Sequence, residues 1–191
     1  ANEAPAFEPR DGFSYSNVGF SVLGHLAQAA ERRPFTELVT DSIFARCGME
    51  RASWDWSSGI GASMGGAPRS EGSKVSVLPA GGAVLSMDDF VGLSVGLLNH
   101  GECAKGRLLR ADSLEEMWRS QDGGRLSGWS GMGLGFHLTE RRPELNDQRL
   151  VTHHGDTLYF TASYELLPEL GRAIVVLSND LALKPAVDDV A

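Results

Sequence analysis

The stretch Leu158-Tyr159-Phe160-Thr161-Ala162-Ser163-Tyr164-Glu165-Leu166-Leu167-Pro168-Glu169-Leu170-Gly171-Arg172-Ala173-Ile174-Val175-Val176-Leu177-Ser178 decides the fold class. β-Branched and aromatic residues fill both flanks, and such side chains suit a pleated, half-buried surface. Pro168 and Gly171 punctuate the middle, so the flanks 158–167 and 172–178 read as two strands of a hairpin. Residues 133–140 and 149–153 carry the same period of two. An antiparallel sheet is therefore expected after Gly128.

Upstream of Gly128 the period is helical. Val18, Val22, Leu23, Leu26, Ala27 and Ala30 follow one helical spacing, with Asn17 as the expected N-cap. Pro34 suits the first turn of a second helix, with Phe35, Leu38, Val39, Ile43 and Phe44 as its stripe and Gly48 as its stop. Ser86 followed by Asp89 reads as a capped start, and Phe90, Leu93, Leu97 and Leu98 supply the face. His100-Gly101 ends that helix. A short helix near 112–120 is expected, capped by Asp112 or Ser113. Residues 183–190 read as the start of a terminal helix. Residues 1–14 and 52–79 show no clear element. Helices first and an antiparallel sheet afterwards make an α+β fold. Residues 1–191 read as one domain, mainly helical over 13–128 and mainly sheet over 129–191.

Composition narrows the function classes. The chain has 191 residues, 42% hydrophobic and 22% charged, enough to bury a sizeable core. The net charge of −8 argues against a nucleic-acid partner. No apolar run approaches the ~18 residues that a membrane-spanning helix needs. The two cysteines, Cys47 and Cys103, make no disulfide framework and read as small buried hydrophobes.

Four motifs carry candidate chemistry. Tyr15-Ser16-Asn17 precedes a helix; in an extended segment, residues two apart point the same way. A phenol can serve as a general base beside a cation, and an amide can hold a carbonyl. His153-His154-Gly155-Asp156 ends a strand. Its two imidazoles face opposite ways, so no metal site is expected, and none of His25, His100 and His137 shows ligand spacing. Gly155 would let a substrate lie close to the strand backbone. Pro79-Ala80-Gly81-Gly82 reads as a turn before a helix, not a phosphate loop. Gly61-Ala62-Ser63-Met64-Gly65 spells a nucleophile elbow but lacks the preceding strand and following helix that the elbow needs.

In this order the pieces resemble one family, the serine β-lactamase and penicillin-binding-protein-like hydrolases of the class C β-lactamase and esterase type. Phe13-Ser14-Tyr15-Ser16-Asn17-Val18-Gly19 is similar to that family's Tyr-x-Asn segment. Ile43-Phe44-Ala45-Arg46-Cys47-Gly48-Met49, Leu78-Pro79-Ala80-Gly81-Gly82 and Gly133-Leu134-Gly135-Phe136 resemble three further segments. His153-His154-Gly155 sits where the family has Lys-Thr-Gly or His-x-Gly. The family's Ser-x-x-Lys is absent: Glu71, Glu102 and Leu181 stand three residues before the three lysines. Arg10 and Asp156 depart from the family's usual small residues.

The resemblance implies a β-lactamase/transpeptidase-like fold without its N-terminal part, and a C-terminal portion of a longer enzyme. It implies an acyl-enzyme hydrolase of esters, amides or β-lactams with no cofactor and no metal. Tyr15 would be the general base, and Asn17, His153, Gly155 and Asp156 would bind substrate. The Asp156 N–H would donate to the oxyanion, with the carboxylate turned away on the side of His154. The expected partners are a small-molecule or peptide substrate, and the missing N-terminal segment or a second copy. Two other readings remain open: a non-catalytic binding or sensor domain of the same fold, and an α/β hydrolase using Ser63.

Overall fold

The computed structural model describes residues 7–8, 11–55, 78–121, 131–142, 147–157 and 160–184. Tyr15 and Asn17 flank the start of α1 (Asn17–Glu31). Its N-cap is Ser16, not Asn17: the extended Ser16 accepts a hydrogen bond from the Gly19 N–H at 2.9 Å, satisfying one of the helix's orphan donors. Arg32 closes it in the left-handed region. The apolar residues of α1 follow the expected spacing, yet they cover little. Val18 is 70% exposed, and Val22, Leu23 and Leu26 are exposed as well. The one buried residue of α1 is Gly24, over which the Pro79 ring of α4 (Leu78–Gly81) lies so close that a Cβ would overlap it.

The second expected helix is broken. It runs as α2 (Phe35–Val39), a single π turn (Thr40–Phe44) and α3 (Ala45–Cys47), with Pro34 at the N-cap and Gly48 in the left-handed conformation at its end. Of its expected stripe only Phe44 is fully buried. The Trp54 ring stacks on Phe44 at 5.5 Å and meets Phe35 edge-on at 5.7 Å.

The capped helix is α5 (Met87–Leu98), and its start is a full capping box: Ser86 Oγ accepts from the Asp89 N–H, and Asp89 Oδ2 accepts from the Ser86 N–H at 2.8 Å. His100 and Gly101, both with positive φ, end it as expected. Cys47 and Cys103 are joined in a disulfide with their Cα atoms 4.7 Å apart, which corrects the reading of both as merely small buried hydrophobes. Two glycines one helical turn apart on α5 make its seat. A Cβ at Gly92 would stand 2.6 Å from the Cys47 carbonyl oxygen, and one at Gly96 would overlap Cys103 Sγ.

A two-stranded ribbon that the sequence did not signal follows, β1 (Glu102–Cys103) and β2 (Gly106–Arg107). Then comes α6 (Ala111–Met117), whose N-cap is Arg110 rather than Asp112 or Ser113. The Asp112 carboxylate instead accepts from the Ser113 N–H at 2.7 Å.

The sheet is a five-stranded antiparallel meander: β3 (Gly131–Met132), β4 (His137–Arg142), β5 (Gln148–Asp156), β6 (Thr161–Leu167) and β7 (Arg172–Ser178). The first half of the first expected strand, 133–136, is thus a turn between β3 and β4, and the second expected strand is longer than expected. The Pro168–Leu170 turn with Gly171 at φ 60° makes the expected hairpin. Alternation sorts the side chains. Val151, His153 and Gly155 oppose Leu166, Tyr164 and Ala162 on one face; Thr152, His154 and Asp156 oppose Glu165, Ser163 and Thr161 on the other. The first face packs on α5 and α6, and Leu97, Leu114, Trp118, Leu138, Val151 and Leu166 form the main core. The terminal helix expected over 183–190 lies outside the described residues beyond Lys184, where a short 3-10 turn (Leu181–Leu183) is seen.

Candidate active site

The start of α1 meets the end of β5. The Tyr15 ring stands 6.5 Å from the His153 ring, tilted by 43°. Tyr15 is 54% exposed. The other described phenol at this end of the sheet, Tyr164, is buried against Phe90 and Ser94, and burial pushes it up to about 12. Buried phenols resist ionisation, so Tyr164 serves in packing, while Tyr15 is the exposed one of the two described phenols. Asn17 is the first residue of α1 and is exposed. The expectation that Tyr15 and Asn17 share one extended segment is therefore corrected, because the Ser16 cap starts the helix between them.

His153 is half-buried on the sheet's core face, and burial lowers its proton affinity below the ordinary imidazole value. Gly155 follows on the same face. Among described atoms, a Cβ there would touch only Ala162, at 3.9 Å, so the strand backbone is bare beside His153. His154 points to the opposite face, its Nε2 3.4 Å from Thr152 Oγ1. No group of three metal-ligating side chains exists among the described residues.

Asp156 lies on the His154 side, opposite Thr161, as strand alternation demands. Lys184 Nζ donates to its Oδ2 at 2.8 Å. That hydrogen bond, then one with Thr161, holds the carboxyl below the usual carboxylate range. Ser63 and the Gly61–Gly65 motif lie outside the described residues.

Two residues at this corner escaped the sequence reading. Lys184 drew notice only for lacking a Ser three residues before it. His137, at the start of β4, has its ring 5.8 Å from that of His153. Only the β4–β5 register could have revealed it, and register is not written in either strand alone.

Helices beside a five-stranded antiparallel sheet, with Tyr-x-Asn at the first helix and His-His-Gly at a strand end, define a β-lactamase/transpeptidase-like fold. A family model described as Beta-lactamase matches residues 1–190, and the chain belongs to that family. Solved structures share the fold. A penicillin-binding protein from Bacillus halodurans is 19% identical with a TM-score of 0.70, over 97% of this chain and 58% of its own. A class C β-lactamase from Rhodobacter sphaeroides is 18% identical with a TM-score of 0.66, over 87% and 55%. A D-stereospecific amidohydrolase from Streptomyces sp. is 17% identical with a TM-score of 0.69, over 93% and 53%. The chain thus spans little more than half the length of these relatives. No curated protein matches it.

Proposed function

We propose that the chain is the C-terminal part of a serine hydrolase that cleaves an ester, amide or β-lactam through an acyl-enzyme. Family membership and the hydrolases among its structural relatives support the reaction class. The observation that carries the site is the Tyr15 ring against His153, beside the bare backbone at Gly155.

In this reading a Ser-x-x-Lys segment upstream supplies the nucleophile. Its Ser Oγ bonds to the substrate's carbonyl carbon while its proton passes to the Tyr15 oxygen, held as phenolate by the neighbouring Lys ammonium. The tetrahedral oxyanion accepts from the Asp156 N–H and the Ser N–H, and each such donor lowers the barrier by about 3 kcal/mol. The carbon–leaving-group bond then breaks, and the leaving group takes the proton from Tyr15. Water repeats the sequence on the acyl ester and frees Ser. Asn17 and His153 orient the substrate. The Asp156 carboxylate, drawn aside by Lys184, leaves its own N–H free of like-charge opposition.

Intact mass after incubation with a fluorophosphonate tests this. The chain alone is expected to give no adduct. The chain supplied with its upstream segment is expected to give one adduct per complex, lost when the upstream Ser is Ala and slowed at least a hundredfold by Tyr15→Phe. An adduct on the chain alone overturns the reading and points to a Ser within it, Ser63 first. No adduct on the complete protein favours a binding or sensor domain instead.

A further inference from the structure

Asp156 stands where the family carries a small residue, and the chain builds a polar circuit around it. The register sets Asp156 opposite Thr161 and Thr161 opposite Ser178, so one row of polar side chains crosses β5, β6 and β7. The row lies on the face away from α5 and α6. Beyond Ser178 the chain turns back. Ser178 Oγ accepts from the Asp180 N–H at 3.0 Å, and Asp180 Oδ1 accepts from the Ala182 N–H at 2.9 Å. Those two bonds wind the short turn Leu181–Leu183, and the next side chain is Lys184. Its ammonium donates to Asp156 Oδ2 and closes the circuit. The same end of β5 belongs to the candidate site. β4 pairs with β5 only as far as Thr152, so the β5 edge from His153 to Asp156 has no strand beside it on that side, among the described residues.

We propose that Lys184 is a positioning residue for the acylation step: aimed by the Ser178–Asp180 turn, it holds the Asp156 carboxylate on the far face and offsets its charge, which keeps the Asp156 N–H able to receive a developing oxyanion. This rests on the serine-hydrolase reading of the site and deepens it, because it adds the segment after β7 to the machinery. The need for such a clamp is electrostatic. A free carboxylate on the residue whose N–H stabilises negative charge would oppose that charge from within one side chain's length. An ammonium at hydrogen-bond distance turns the lone charge into a dipole, whose field falls off faster with distance. The Lys184 bond, then a bond from Thr161, are the main causes that hold the Asp156 carboxyl below the usual carboxylate range. The other charged or titratable groups of this face stand further along the strands. His154 lies opposite Ser163, and the buried Glu165 lies opposite Thr152. Among the described residues, Lys184 is the ammonium or guanidinium group in contact with Asp156.

A partly exposed pair adds little to stability, so its loss leaves a folded protein in which the rate can be read. The chain supplied with its upstream segment is labelled with a fluorophosphonate, and the rate is followed by intact mass. As the Ser Oγ bonds to phosphorus and fluoride leaves, negative charge grows on the phosphonyl oxygen at the same corner. Lys184→Met should slow labelling about tenfold with little change in melting temperature. Lys184→Arg keeps the charge and should label within about threefold of the parent rate. Lys105→Met removes an equal charge from the β1–β2 turn, where it pairs with Glu50, and should leave the rate unchanged. The deciding comparison uses Asp156→Asn as the background. There Lys184→Met should slow labelling no further, because no carboxylate remains to be held. The inference is overturned if Lys184→Met labels at the parent rate, if Lys184→Arg is as slow as Lys184→Met, or if the loss persists in the Asp156→Asn background. Labelling that ignores Lys184 sinks this inference alone. A complete parent protein that takes no label sinks the hydrolase reading and this inference together.

Discussion

Lys184 Nζ and Asp156 Oδ2 stand 2.8 Å apart, tying the last residue of β5 to the segment after β7. Both side chains are partly exposed, so the pair is worth at most about 1 kcal/mol. Its pH dependence has a definite sign. The folded carboxyl of Asp156 titrates below its unfolded value, so the contribution is present above about pH 4 and is lost as pH falls through the folded value. Lys184→Ala should cost less than ~1 kcal/mol near pH 7 and almost nothing near pH 2, by urea unfolding. Equal losses at both ends would show that the lysine acts by packing rather than by charge.

The two lowered histidines give acid lability of another kind. The folded chain disfavours protonation of His137 and His153, while the unfolded chain takes up protons freely below about pH 6.5. Their stabilisation is complete above that value and is lost as pH falls toward the lowered folded values. The melting temperature should therefore drop between about pH 7 and pH 5, and His137→Gln with His153→Gln should flatten the drop. A slope unchanged in the double variant would assign it to other groups.

Gly24→Ala should destabilise by about 1–3 kcal/mol, because the new Cβ meets the Pro79 ring and neither backbone can yield easily. Gly81→Ala is the matched control: no described atom lies within 4 Å of its Cβ position, and helical Ala is favoured over Gly by about 0.5–1 kcal/mol. Chemical denaturation of both variants ranks them. A Gly24→Ala protein as stable as the parent would mean that α1 and α4 are less tightly seated.

Reduction of Cys47–Cys103 opens a crosslink between residues 56 apart in sequence. Chain-entropy arguments put its contribution at about 4 kcal/mol. Thiol titration of the denatured, unreduced chain should find no free cysteine. Reductant should lower the melting temperature, and two free thiols before reduction would remove the crosslink from the account.

The apolar residues of α1 lie open to solvent, Val18, Val22, Leu23 and Leu26 among them. An exposed apolar stripe of this kind favours association. Concentrated chain should self-associate by light scattering, and Val22→Glu with Leu26→Glu should suppress this without loss of helix signal. On the proposed reading, adding an upstream segment should suppress it too. A parent chain that stays monomeric when concentrated would contradict the assignment.

Period and punctuation made much of the fold legible. The hairpin from β6 to β7, the capping box of Ser86 and Asp89, and the stop at His100-Gly101 depend on near neighbours, so sequence carries them. Tyr15 and His153 were legible as motifs, and their meeting was expected only through family resemblance. What escaped depends on distant segments. The Cys47–Cys103 bond, the neighbourhood of His137 and the Lys184–Asp156 pair each join residues that only the folded chain brings together. The Asn17 cap failed for a nearer reason: Ser16 competes for the same role one residue earlier and wins with its hydroxyl on the Gly19 N–H.

The seat of the disulfide on Gly92 and Gly96 carries an evolutionary consequence. While Cys103 Sγ occupies the notch above Gly96, any larger residue at 96 is excluded. If the cysteines were lost first, the notch would become a small void, and Gly96→Ala would change from harmful to helpful. Once made, that change would bar the sulfur from returning. Substitutions at 47, 96 and 103 are therefore epistatic, and the order in which a lineage acquires them acts as a ratchet.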